Sequence, residues 1–183
     1  REVMSHEIAS FSDDELTAMV HHMAEIGAEY HMYPPDPCAQ RIARRWAELI
    51  LGTPEIIGLE HLSEAVAAGP TVVLSNHQSY YDTSVLDWGL IQHERRDLAD
   101  KLSVIAGPKV YTDLFRRFAA ASMRTIKVPQ STSLGHTEQM SGRELARRAI
   151  SSLQAARSTL TDGNFLVLYP EGSRTRTGRM QTF

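Results

Sequence analysis

Two stretches of the chain hold residue types that could do chemistry together. The first is Asn76-His77-Gln78-Ser79-Tyr80-Tyr81-Asp82. An imidazole, with an ordinary pKa of about 6.5, can take and return a proton near neutrality. A carboxylate bonded to one ring N–H fixes the tautomer, orients the ring and stabilises the imidazolium once it forms. At their spacing His77 and Asp82 do not share a helix face, so they meet only if the chain between them turns back. On spacing alone, a loop histidine followed by a helix N-cap is the simpler reading. The second stretch is Tyr169-Pro170-Glu171-Gly172-Ser173-Arg174-Thr175-Arg176-Thr177-Gly178-Arg179. Pro170 stops a strand ladder, and Gly172 permits a tight turn with close backbone approach. Arginine is permanently charged and grips phosphate oxygens in a bidentate fork. In a chain of net charge −3, arginines gathered at the end of a strand point to a phosphate-bearing ligand. A solvated basic loop is the alternative for arginines alone.

The elements that must position these residues are legible in the pattern. The β-branched run Thr71-Val72-Val73-Leu74-Ser75 reads as a buried strand, and the spacing predicts a helix over 83–92. His77 therefore leaves the end of a strand and Asp82 waits where a helix begins. Further strands are expected at 55–58, 102–106, 124–128 and 165–169, and further helices at 59–68, 110–121 and 141–161. Strands separated by helices imply an α/β fold with a central, mostly parallel sheet flanked by helices. Ligands of such sheets bind beyond the carboxyl ends of the strands, where both motifs fall. Upstream, Ser12-Asp13-Asp14-Glu15 is a capping-box signature, followed by an apolar stripe of Leu16, Met19, Val20, Met23 and Ile26. The adjacent His21 and His22 point to different faces and read as surface residues, not metal ligands. Tyr33-Pro34-Pro35-Asp36-Pro37 reads as a stiff connector. A second helix is predicted over 38–51, with Cys38, Ile42, Trp46, Leu49 and Ile50 on one side. The chain thus divides into an N-terminal helical appendage, 1–54, and an α/β domain, 55–183.

Composition bounds the rest. The 183 residues suffice for one sizeable core, and 42% apolar with 22% charged residues is ordinary for a globular protein. The acidic balance argues against a general nucleic-acid binder. With Cys38 as the one cysteine, an intrachain disulfide and a cysteine-based zinc site are excluded, and a reducing cytosol fits. No apolar run reaches the ~18 residues of a spanning helix. Gly107-Pro108-Lys109 superficially suggests a phosphate loop, but the required G-x-x-x-x-G-K-[ST] spacing is missing.

Together the two motifs resemble the hallmark blocks of the glycerolipid acyltransferase superfamily, N-H-x-x-x-x-D and F-P-E-G-T-R-S. Ala106 to Asp113 and Arg124 to Val128 look like the block between them. With the helical appendage, they bring the chain closer to soluble glycerol-3-phosphate acyltransferases than to membrane-anchored lysophosphatidate enzymes. The resemblance covers 55–183 well and 1–54 loosely. It implies that His77 is the general base for the acceptor hydroxyl and Asp82 its orienting partner. It implies direct attack on an acyl thioester, which suits a chain with no visible nucleophile motif. Arg174 and Arg176 match phosphate-gripping arginines, with Lys127, or failing it Lys109, as an added cation. Glu171, Gly172 and Ser173 match the turn that shapes the acceptor site. No metal is implied, and no cofactor beyond acyl-CoA or acyl-carrier protein as co-substrate.

Tyr169, Ser173 and Thr175 depart mildly from the usual Phe, Thr and Ser. The Lys-Lys-His run of plastid-type enzymes is missing around Gln130 to Ser133, which leaves the acceptor open. The chain starts on Arg1 rather than Met and stops at Phe183, before the family's fourth block. A longer gene product or a truncated, inactive member is therefore expected. The implied reaction is acylation of glycerol 3-phosphate in phospholipid biosynthesis. The alternatives are acylation of lysophosphatidate and a non-catalytic lipid- or carrier-binding relative. A cytoplasmic enzyme is expected, peripheral at the inner face of the membrane because its product partitions into bilayers. Helix 110–121, with Phe115 and Phe118 beside Arg116 and Arg117, either suits an anionic surface or sets two core phenylalanines beside solvated arginines.

Overall fold

The computed structural model describes residues 2–129, 141–172 and 175. Local chemistry starts its helices where the sequence signals them. After α1 (Glu2–Ala9), α2 (Asp13–Glu25) opens on a complete capping box: the Ser12 hydroxyl accepts from the Glu15 N–H at 3.3 Å, and Ser12 N–H donates back to Glu15 Oε2 at 2.8 Å. The strand β1 is the short Met32–Tyr33. Next, α3 (Pro37–Ile50) begins on Asp36, whose side chain accepts from Ala39 N–H, with Pro37 in the first turn where no intrahelical donor is needed.

The α/β portion continues with α4 (Leu59–Ala68), β2 (Val72–Leu74), α5 (Asp82–Gln92), α6 (Arg96–Ala99) and β3 (Leu102–Ala106). A 3₁₀ turn (Pro108–Tyr111) precedes α7 (Leu114–Ala121), β4 (Arg124–Lys127), α8 (Gly142–Thr161) and β5 (Phe165–Leu168). The sheet order is β1-β4-β3-β5-β2, parallel throughout except for the antiparallel β1–β4 pair. The expected α/β architecture with a mostly parallel sheet is the observed one. Among the described residues no helix is long and apolar enough to cross a membrane.

Several local expectations are corrected. Glu55 to Gly58 is irregular chain, not a strand. Side chains hold this region instead of a ladder: Trp88 Nε1 donates to the Gly52 carbonyl at 2.7 Å, and His93 Nε2 lies 3.1 Å from the Pro54 carbonyl. Ile56 packs in the core against Gly89, where a Cβ would meet its Cδ1 at 3.0 Å, while Ile57 is 89% exposed. The strand read as buried, β2, lies at the edge of the sheet with Val72 and Leu74 on its open face, 48% and 66% exposed. Its β-branched run reports strand propensity, which does not distinguish an edge from a centre. Tyr33, read as the start of a connector, pairs with Thr125, and Met32 before it pairs with Ile126. The helix expected over 110–121 divides at Asp113, whose carboxylate caps α7 by accepting from Arg116 N–H at 3.0 Å. Phe118 packs against the core and Phe115 is half exposed, edge-on to Trp46. Arg117 is drawn inward, donating to the carbonyls of Tyr111, Met23 and Ala24. Val20, Leu49 and Ile50 are exposed, so the apolar stripes of α2 and α3 are narrower than their sequences suggested.

Two apolar clusters frame the sheet. One joins Met23, Ile26, Tyr33 and Ala39 of the N-terminal segment to Ala106, Tyr111, Ala120 and Ala121. The other gathers Leu90, Leu98, Ala99, Leu102, Phe165 and Val167, with Leu59, Leu62 and Val66 of α4 packed against it. A buried ion pair ties α3 to α5: the Arg44 guanidinium donates to both carboxylate oxygens of Asp87, at 3.0 and 2.8 Å, and also to the exposed Asp100 at 2.8 Å. Burial works against the Arg44 charge, but the hydrogen bonds and charges of Asp87 and Asp100 outweigh it and raise its pKa.

Candidate active site

The strands β2 and β5 are neighbours and parallel, with Leu74 opposite Leu168 and Ser75 N–H donating to the Leu168 carbonyl at 3.0 Å. Parallel neighbours release their following residues at the same edge of the sheet. Ser75-Asn76-His77 and Tyr169-Pro170-Glu171 therefore emerge side by side, although His77 and Glu171 are 94 positions apart.

The loop after β2 wraps around the Asp82 carboxylate at the start of α5. Its Oδ2 accepts from Gln78 N–H at 2.8 Å, from Ser79 N–H at 3.0 Å and from His77 Nδ1 at 2.8 Å; Oδ1 also accepts from Ser79 N–H at 3.0 Å. This is the turn-back that the H-x-x-x-x-D spacing required. Asp82 Oδ2 already accepts backbone N–H bonds and serves as the acceptor of the pair, so Nδ1 carries the hydrogen and Nε2 keeps its lone pair. Nε2 has no hydrogen bond to any described residue, and the side chains of His77 and Asp82 are 23% and 21% exposed. The pair is shielded enough to hold its geometry and open enough to receive a hydroxyl.

From the other strand, the Glu171 side chain reaches across, its Oε2 accepting from His77 N–H at 3.3 Å. Its Oε1 is buried with no hydrogen-bond partner among the described residues. Gly172 sits at φ 65°, a conformation that suits glycine, and its N–H closes the turn onto the Tyr169 carbonyl at 3.1 Å. Thr175 N–H donates to the His77 carbonyl at 2.7 Å, which brings the chain after the turn back to the histidine. The predicted phosphate ligands Arg174 and Arg176 flank Thr175 and, with Ser173, lie outside the described residues.

Lys127, the predicted added cation, ends β4, three strand positions from β2, a separation of about 14 Å at ordinary strand spacing. Its ammonium donates to the Gly27 carbonyl at 2.6 Å and lies over the Tyr30 ring, 4.3 Å from its centroid. Lys109 lies exposed in the 3₁₀ turn after β3. Among the described residues no group of three or more His, Cys, Asp or Glu side chains is placed to hold a metal ion.

Sequence reasoning gave no role to two contacts. The Tyr169 ring stacks on His77, with centroids 4.4 Å apart and planes 25° from parallel. The Tyr169 hydroxyl lies 2.9 Å from Thr83 Oγ1. Burial pushes the Tyr169 phenol's pKa up; the Thr83 bond works against this and the Asp82 charge with it. The one sequence signal was Tyr169 itself, a hydroxyl-bearing ring where the resembled block carries Phe.

The Acyltransferase family model matches residues 54–183. The chain belongs to this family, and its chemistry is acyl transfer. A comparison with curated proteins finds no match.

Proposed function

We propose that this acyltransferase moves a fatty acyl group from acyl-CoA or acyl-carrier protein to a hydroxyl of glycerol 3-phosphate, in phospholipid biosynthesis. The observation that carries the reading is the joining of the His77–Asp82 pair to the Glu171 turn at the ends of adjacent parallel strands. His77 Nε2 takes the proton of the acceptor hydroxyl as its oxygen attacks the thioester carbonyl. The tetrahedral intermediate collapses, the C–S bond breaks, and the leaving thiolate takes the proton from the His77 imidazolium. The products are an ester and a free thiol, with no acyl-enzyme. Asp82 stabilises the transient imidazolium through Nδ1. Arg174 and Arg176 are the proposed phosphate ligands. Lys127, engaged by Gly27 and Tyr30, adds only a longer-range field, screened over a Debye length of roughly 8–10 Å. Glu171, Gly172 and Ser173 shape the acceptor site.

The reading carries a cytoplasmic location with peripheral contact at the membrane face that receives the product. The test is acceptor competition with purified protein, glycerol 3-phosphate against lysophosphatidate, using an acyl-CoA and an acyl-carrier-protein donor. Preferential acylation of glycerol 3-phosphate supports the proposal, and preference for lysophosphatidate replaces it with the larger lipidic acceptor. Absence of turnover with either acceptor would point to a non-catalytic binding relative.

A further inference from the structure

We propose that Tyr169 is a positioning residue for the catalytic base, a ring held by Thr83 that fixes the plane of the His77 imidazole. The inference rests on the reading of His77 as general base. A hydrogen bond from Nδ1 to Asp82 fixes one point on the ring edge but leaves the imidazole able to pivot about that bond. The histidine χ2 torsion is broad, so the torsion alone does not stop the pivot. Proton abstraction requires the Nε2 lone pair to point at the hydroxyl, and a pivot of the ring swings that lone pair away. A second surface against the ring face removes this freedom, and the Tyr169 ring, stacked at 4.4 Å and 25°, is that surface.

The tyrosine is in turn anchored. Its hydroxyl and Thr83 Oγ1 are 2.9 Å apart, and both side chains are partly buried. Thr83 follows Asp82 in the first turn of α5. One helix turn therefore supplies both restraints on the imidazole: the Asp82 carboxylate directly at its edge, and the Thr83 hydroxyl through the ring that lies on its face. Because Tyr169 continues from β5, the stack also ties the base to the Glu171 turn, which bonds His77 N–H from the same strand end. A phenol is protonated at neutral pH, and burial moves the Tyr169 pKa further up, so its hydroxyl can donate to Thr83.

The test uses the whole chain with an acyl-CoA and whichever acceptor it acylates, and it reads kcat and KM separately. Tyr169→Leu removes the stack and should lower kcat by about tenfold or more with both KM values within about twofold, because the base is misaimed while the substrates still bind. Tyr169→Phe and Thr83→Val should each lower kcat by about threefold, and the double variant should be no slower than either single, because the two hydroxyls act as one bond. In ¹⁵N spectra of the histidine rings, with His77 assigned by its loss in His77→Gln, Tyr169→Leu should broaden or average the His77 signals. Wild-type kcat in Tyr169→Leu, a loss carried by KM, or multiplicative losses in the double variant would each overturn the inference. If Tyr169→Leu does not fold, the Phe and Val variants decide by the same cycle. Full turnover in His77→Ala would remove the general-base reading itself. An inactive His77→Ala beside an unaffected Tyr169→Leu would remove only the role given to the tyrosine.

Discussion

His77 and Asp82 define what single substitutions should do. His77→Ala removes the proposed base and leaves the proposed anion site, so acyl transfer should be lost by about 10²–10⁴-fold while acceptor binding, measured by calorimetry, persists. Asp82→Asn keeps the shape but puts a neutral amide against Nδ1, which no longer stabilises the imidazolium. Its kcat should fall by a similar factor with circular dichroism unchanged. Arg174→Ala removes a charge-assisted partner of the proposed phosphate. It should weaken glycerol 3-phosphate binding by about 1.5–3 kcal/mol, and an unchanged dissociation constant would move the phosphate site elsewhere. The roles of His77 and Asp82 could be framed from the sequence because the motif names the residue types. Their contact could not, because the four intervening residues fold back through the Gln78 and Ser79 N–H groups that gather on the carboxylate.

Between elements, the buried Arg44–Asp87 pair, with the exposed Asp100 as a further acceptor, fastens α3 to the helix that begins at Asp82. Arg44→Met strands the buried Asp87 carboxylate without its partner and should destabilise the fold by about 3–5 kcal/mol in urea denaturation. Arg44→Met combined with Asp87→Leu should recover much of that loss, since the cost lies in the unpaired charge. At α8, hydrogen bonds from Arg147 and Arg148 hold the partly exposed Glu144 carboxyl at about 2, below its ordinary 4.5. A depressed acid stabilises the fold while ionised. Its contribution is whole above pH 4.5 and is lost as pH falls through about 2. Glu144→Gln should remove that acid limb from a plot of stability against pH. The Ser12, Asp36, Asp113 and Ser141 caps were starting signals of a kind the sequence can show, because capping chemistry is local. The strand at β1 was not legible, since two residues carry no periodicity and it exists only through pairing with β4.

Across the whole chain, the N-terminal segment contributes Met23, Ile26, Tyr33 and Ala39 to a core shared with β3 and α7. Trp46 in α3 and Trp88 in α5 sit in the N-terminal and α/β portions and report on each. Thermal unfolding followed by tryptophan fluorescence and by far-ultraviolet circular dichroism should give one coincident transition. Two separated transitions would mean that the shared cluster and the Arg44 group do not couple the parts.

What the sequence determined by itself was the inventory and the class: the α/β alternation, the capping box that opens α2, and two motifs whose residue types suit proton transfer and phosphate recognition. These are matters of local propensity and side-chain chemistry, which travel with the residues. What only the tertiary structure decided was adjacency. The sheet order sets β5 beside β2 rather than beside β4, and that choice depends on strand pairing and core packing across distant parts of the chain. Because the two strands run parallel as neighbours, Glu171 reaches the His77 backbone and Tyr169 lies on its ring, contacts that no spacing along the chain encodes.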